Sequence, residues 1–226
     1  MSRITAIIPA YNEAARIAGV LATITTYSKF DEIIVVDDGS TDLTADIVRE
    51  QFPSVQLLRN DKNRGKGFSM NRGVRAASGD IVFFADADTL GLTHTMLDQI
   101  LKPVLYHSHE MFIGIRKRWL YQIPYVLRVL PHVGGERALT KDLWLQLPDF
   151  YKHGFRIETG LNFFARHRGR GYGYVLLAGL SQTIKESKRG FLEGLDQRLG
   201  MYWDQAIAAL FLRIFDRPSA SKKHTA

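Results

Sequence analysis

The sequence predicts an α/β fold with a mainly parallel sheet flanked by helices, and three observations carry that expectation. Apolar runs at residues 4–8, 33–36 and 81–85 suit strands buried on both faces of a sheet. Segments with helical spacing separate them, the alternation that builds βαβ units. Polar residues gather where each run ends, and ligands of open α/β sheets bind beyond the carboxyl ends of the strands.

The first strand, residues 4–8, is broken by Pro9 and opens onto Ala10-Tyr11-Asn12-Glu13. A helix is expected from 13 to about 27, because Ile17, Val20, Leu21 and Ile24 share one face. The second strand, 33–36, ends in Asp37-Asp38-Gly39-Ser40-Thr41-Asp42, and Thr41 or Asp42 is placed to cap a helix over 43–51. Residues 55–59 read as a third strand, 60–67 as a polar loop and 68–77 as a helix. The fourth apolar run leads directly into Asp86-Ala87-Asp88. Strand geometry would aim those two carboxylates, at i and i+2, to the same side.

Beyond Asp88 the pattern weakens. It predicts a helix over 92–104, a strand over 111–115, a short helix over 141–147, a helix over 159–167 and a strand over 175–180. Residues 119–130 mix aromatic and aliphatic side chains with Arg128 and Pro124. They fit either an interfacial helix on a membrane or a core helix kinked at proline. A helix over 192–215 carries an apolar stripe through Leu199, Trp203, Ile207, Leu210 and Ile214, and a polar tail follows from Ser219.

With 226 residues, 46% hydrophobic and 23% charged, the chain suits one globular domain. The absence of cysteine excludes disulfides, thiolate metal sites and cysteine nucleophiles. No signal peptide is visible, and the longest uncharged run, 171–184, falls short of the roughly 18 apolar residues of a membrane span. A cytoplasmic location is expected, with peripheral contact at a membrane face left open. The net charge of +7 is uneven: residues 1–113 carry 11 Lys/Arg and 14 Asp/Glu, residues 114–226 carry 19 and 9. An acidic half joined to a basic half suggests metal-linked binding in one and recognition of an anion in the other.

Two close carboxylates repel and are costly to desolvate, whereas a hard divalent cation removes that cost and can hold diphosphate oxygens. The plainer reading is an acidic turn after an ordinary strand, as the 37–42 segment alone reads as a capped turn. Three polar clusters at successive strand ends favour a shared pocket.

Pro9-Ala10-Tyr11-Asn12-Glu13, Val36-Asp37-Asp38-Gly39-Ser40-Thr41-Asp42, Asn63-Arg64-Gly65-Lys66-Gly67 and Asp86-Ala87-Asp88 resemble, in order, the motifs of family 2 glycosyltransferases. The resemblance implies the GT-A fold, a nucleotide-sugar-binding α/β sheet with an Asp-x-Asp (DXD) metal site, and is strongest to the polyprenyl-phosphate (dolichyl-phosphate) glucosyl- and mannosyltransferase branch. It implies one domain over 1–217: a nucleotide-sugar half (1–90), an acceptor half (110–190) and a C-terminal helix (192–217), before a flexible tail (218–226). Asp38 looks like the residue that bonds the base, a carboxylate suiting a ring N–H of uracil or guanine. Pro9, Tyr11 and Glu13 would line base and ribose, with Asp37 beside them and Lys66 near the donor phosphates. Asp88 would bind Mg²⁺ or Mn²⁺, and Asp86 would touch the ribose or reach the metal through water.

Arg116 and Arg137 are similar in position to the family's paired arginines, which in this branch hold the acceptor phosphate. Gly154-Phe155-Arg156-Ile157-Glu158 resembles a later family segment. Glu158 would be the base for a hydroxyl acceptor; for a phosphate acceptor it would orient the arginines or the sugar, and it also suits the first turn of a helix. Many relatives place a metal-binding histidine near residue 182, where this chain has Gln182, so a third ligand stays open. His132, His153 and His167 lack metal-ligand spacing.

The expected activity is inverting transfer of a hexose from a UDP- or GDP-linked sugar to a polyprenyl phosphate. The alternative is a soluble acceptor, a phosphorylated metabolite or saccharide hydroxyl, with Glu158 as base. A basic nucleic-acid module is a remote alternative, because no aromatic platform interleaves the basic residues. A sugar nucleotidylyltransferase would need a Gly-rich basic loop after the first strand, which Pro9-Ala10-Tyr11-Asn12-Glu13 is not.

Overall fold

The computed structural model describes residues 2–117, 134–154, 156–167, 170–182, 207 and 211. The expectations for 119–130, for most of 192–217 and for the tail lie outside the described residues.

Apolar β-formers dominate β1 (Ile4–Ala10), β2 (Glu32–Asp37), β3 (Gln56–Arg59) and β4 (Ile81–Phe84). They form one sheet with β6 (Met111–Arg116), β7 (Arg137–Thr140) and β8 (Tyr172–Leu177), in the order β3-β2-β1-β4-β7-β6-β8. The first four are parallel; β7 is antiparallel to both its neighbours, and β6 pairs parallel with β8. A separate ribbon joins β5 (Thr89–Leu90) to β9 (Ser181–Gln182).

Helices cover both faces, which is why the central strands lack a polar side. On one face pack α1 (Ile17–Thr25), α2 (Thr44–Gln51) and α4 (His94–Leu105), around Leu21, Val48, Phe83 and Ile100. On the other lie α3 (Lys66–Ala76), α5 (Lys141–Gln146) and α6 (Arg156–His167), around Met70, Phe84, Trp144 and Leu161. Burying such aliphatic and aromatic side chains contributes about 1.5–3 kcal/mol each.

Among the described residues the expected elements are present with shifted ends. α1 begins at Ile17 because residues 13–16 form a turn on the Glu13 carbonyl. Neither Thr41 nor Asp42 is the residue preceding α2, which is Leu43; Asp42 instead accepts from the Thr44 and Ala14 amides. The strand β7, where the sequence pattern suggested only an approach to a helix, is four residues long and starts with an arginine. β8 lies three residues earlier than expected.

A polar clamp joins α1 to α4. Asp98 accepts from Lys29 Nζ at 2.5 Å and from the Tyr27 hydroxyl at 2.6 Å. These two bonds hold its carboxyl down at about 2. A carboxyl lowered on folding adds stability above its ordinary value, lost as pH falls through the lowered one. Wild type should therefore exceed Asp98→Asn by no more than about 1 kcal/mol at pH 5, the pair being partly exposed. Urea midpoints of the two proteins should converge between pH 4 and pH 2.

Candidate active site

β1 pairs with β2 on one side and β4 on the other, so the loops leaving β1 and β4 diverge at their carboxyl ends. The crevice there is a cavity of about 300 Å³. Pro9, Tyr11 and Glu13 line it from the β1 loop, Asp38 from β2, Asn63, Gly65, Lys66 and Ser69 from the α3 entry, and Asp86 and Asp88 from β4. Seven of the expected donor-site residues are therefore brought together.

Side chains stitch the loops that make this wall. Asn12 Oδ1 accepts from the Thr41 amide at 2.9 Å, and the Asn12 amide donates to Ser40 Oγ at 2.9 Å. The Glu13 amide donates to Thr44 Oγ1 at 2.8 Å. Asp37 lies apart from the cavity. It is fully buried outside the cavity lining, Oδ1 accepting from the Ser40 amide at 3.1 Å and Oδ2 lying 3.0 Å from Arg59 Nε. As the last residue of β2 it points opposite to its neighbour, and only Asp38 reaches the cavity.

Asp86 and Asp88 also differ from the strand picture, since β4 ends at Phe84 and both lie in the turn that follows. The turn still delivers both to the cavity. Asp86 sits between two cations: Lys66 Nζ donates to Oδ1 at 2.5 Å and Arg116 Nη2 lies 3.4 Å from Oδ2. Burial alone would raise its carboxyl, but Lys66 and the two arginines outweigh it and hold it below the usual range. Burial likewise pulls Lys66 down, and Asp86 and Glu158 more than offset this, leaving its ammonium raised. A Cβ on Gly135 would come within 2.0 Å of Asp86 Oδ2, so glycine there leaves room for the carboxylate.

Arg116, at the end of β6, also donates to Glu136 Oε1 at 3.1 Å, which accepts a short bond from Thr89 Oγ1. Glu136 is fully buried and was missed, because Gly-Gly-Glu-Arg reads as a turn. Arg137 is 2% exposed; it donates to the Gly134 carbonyl and lies 4.0 Å from Glu158 Oε1. Burial lowers its guanidinium from the ordinary value while Glu158, Asp86 and Glu136 oppose the fall. Glu158 stands in the first turn of α6, its Oε2 buried without a hydrogen-bond partner among the described residues. Both arginines are thus engaged with carboxylates, Arg116 with Asp86 of the cavity wall and with Glu136, and Arg137 with Glu158.

For a divalent cation, no three His, Asp, Glu or Cys side chains converge among the described residues. Mg²⁺ or Mn²⁺ needs only one or two carboxylates when substrate phosphates complete its shell. Asp88, 5% exposed, stands on the cavity wall where it fits that role, and Asp86 on the same wall is held by two cations. Backbone pairing sets Gln182 opposite Thr89, next to Asp88, and its side chain lies outside the described residues.

The order of these loops is that of a known group, the family model for glycosyl transferase family 2 matching residues 5–172. The chain belongs to glycosyl transferase family 2. Among its curated relatives is the dolichyl-phosphate beta-glucosyltransferase of Dictyostelium discoideum, 38% identical over 126 residues, covering 50% of this chain and 38% of that protein. The enzyme ALG5C of Trichomonas vaginalis, with the same name, is 38% identical over 96 residues, covering 37% and 28%. The matches span about half or less of these relatives' lengths. Glucosyl-3-phosphoglycerate synthase of Mycobacterium tuberculosis, solved with Mn²⁺, UDP-glucose and phosphoglyceric acid, superposes with a TM-score of 0.75 at 22% identity, covering 97% of this chain and 81% of that one. The fold of this family 2 protein is GT-A.

The buried acceptor shared by Thr89 and Arg116 makes Glu136 a stability test. Glu136→Ala should cost about 3–5 kcal/mol in urea unfolding. Glu136→Gln, which keeps an oxygen for Thr89 and Arg116, should recover much of that loss.

Proposed function

We propose that this chain transfers a hexose, with inversion, from a nucleotide diphosphate sugar to a phosphate-bearing acceptor. The observation that carries the reading is the single cavity in which Asp38, Lys66, Asp86 and Asp88, drawn from separate loops, meet at the sheet's switch point. Pro9, Tyr11, Glu13 and Asp38 bind the nucleoside end. Lys66 supplies positive charge to the donor phosphates, and Asp86 orients Lys66 and the ribose. Asp88, with Gln182 paired to the adjacent Thr89, would hold a Mg²⁺ or Mn²⁺, which would supply charge stabilisation to the departing diphosphate. Positioning the two substrates and fixing charges where negative charge develops supply most of the acceleration.

Arg116 and Arg137 hold the acceptor phosphate, which suits guanidinium forks that stay charged. An ionised phosphate needs no base, and Glu158 then orients Arg137 from 4.0 Å. The basic second half and the dolichyl-phosphate relatives support a polyprenyl phosphate, met by peripheral contact at the cytoplasmic membrane face. No described helix is long and apolar enough to cross a membrane. The similarity to the phosphoglycerate synthase supports a second reading, a soluble acceptor with Glu158 as base through its unpartnered Oε2.

A thermal-shift series with UDP- and GDP-sugars, with and without Mn²⁺, should show strong stabilisation by the donor only when metal is present. Asp88→Ala should remove the metal-dependent part of that shift and lower transfer at least about a hundredfold. A shift that survives Asp88→Ala refutes the metal assignment. With radiolabelled donor and membrane lipid, label should pass into butanol on partition against water; label confined to water selects the soluble acceptor.

A further inference from the structure

A buried hydrogen-bond network lies behind the base end of the cavity, and none of the transfer chemistry uses it. Asn60 is 5% exposed, and its side-chain amide donates to Asp38 Oδ1 at 2.6 Å and to Ser69 Oγ at 3.1 Å. Its Oδ1 accepts a short bond from Arg72 Nη1, which also donates to the Arg59 carbonyl at 2.7 Å. Arginine can only donate, so Arg72 fixes which end of the amide is oxygen and turns the NH₂ toward Asp38.

Asp38 is thereby almost filled. Oδ1 accepts from Asn60 and from the Arg64 amide at 3.0 Å, and Oδ2 accepts from the Gly65 amide at 2.8 Å. A carboxylate offers about four acceptor positions, two on each oxygen. The one left to a ligand is on Oδ2.

We propose that Asn60, by occupying Asp38 Oδ1, makes the donor site selective for uracil over guanine. The inference rests on the reading above that Asp38 faces the base. Uracil offers a single ring N–H between two carbonyl oxygens, which one acceptor position satisfies. Guanine offers its ring N–H and the adjacent amino group side by side, a pair that matches both oxygens of a free carboxylate. With Oδ1 taken, one of guanine's donors is buried without an acceptor, and a stranded donor weakens binding by roughly 5- to 150-fold. Asn60 touches neither sugar nor phosphate in this account; it acts through Asp38 as a positioning residue.

The test is calorimetric titration of the full chain with UDP and with GDP in the presence of Mn²⁺. Wild type should bind UDP at least about tenfold more tightly than GDP. Asn60→Ala and Asn60→Ser, checked for folding by circular dichroism, should narrow the ratio to within about threefold, largely through tighter GDP binding. GDP binding as tightly as UDP to wild type overturns the proposal even if neither variant folds. A folded Asn60 variant that keeps the wild-type ratio overturns it as well. Failure of both nucleotides to bind wild type instead sinks the glycosyltransferase site itself, and the selectivity with it.

Discussion

The constraint on which the structure depends is the double pairing of β1. It is hydrogen-bonded in parallel register to β2 on one side, Ile7 opposite Ile34, and to β4 on the other, Ile7 opposite Phe84. Parallel neighbours end at the same edge, and the chain leaving β1 continues to β2 on one side while the chain leaving β4 continues to β6 on the other. A gap between diverging loops is the geometric result, whatever residues fill them. The polar residues after each strand need only be present; the sheet brings them to one opening. This is why a cavity joins residues as distant in sequence as Pro9 and Asp88.

The first half of the chain was legible for the same reason. Buried parallel strands must be apolar throughout, so the run from Ile81 to Phe84 announces itself and the carboxylates after it stand out. Parity was not legible from composition: Asp37 and Asp38 are adjacent and identical, yet one is sealed against Arg59 and Ser40 and the other faces the cavity. Only the strand's exact end decides between them. The second half was harder. β7 is four residues with a buried arginine at its start, and its identity as a strand comes from pairing with both β4 and β6. Glu136 belongs in the core because Arg116, twenty residues earlier, and Thr89 meet it there. No local pattern encodes a partner at that distance.

Electrostatics ties the two halves together. Asp86 takes Lys66 from the start of α3 and Arg116 from the end of β6, so one carboxylate is shared by groups from both halves of the chain. Packing reinforces the link: a Cβ on Gly67 would come within 2.0 Å of the Lys152 carbonyl, which places the start of α3 directly against the turn before α6. Movement of Lys66 is therefore resisted by backbone contact as well as by charge. Buried ion pairs of this kind stabilise little in net terms, since desolvation offsets attraction, but removing one partner is costly. Their effect is to fix relative position.

That balance bears on how the arginines act. Arg116 and Arg137 reach the site with Asp86, Glu136 and Glu158 already beside them. Any anion approaching them would compete with these carboxylates, so the gain on binding would be the difference between two charge-assisted contacts. The competition is weakest where an anion joins without displacing a partner. Among the described residues, Arg137 keeps Nη1 buried and without a hydrogen bond, while its other nitrogens serve the Gly134 carbonyl. Arg137 holds the Gly134 carbonyl through two nitrogens, whereas Arg116 shares Nη2 between Asp86 and Glu136.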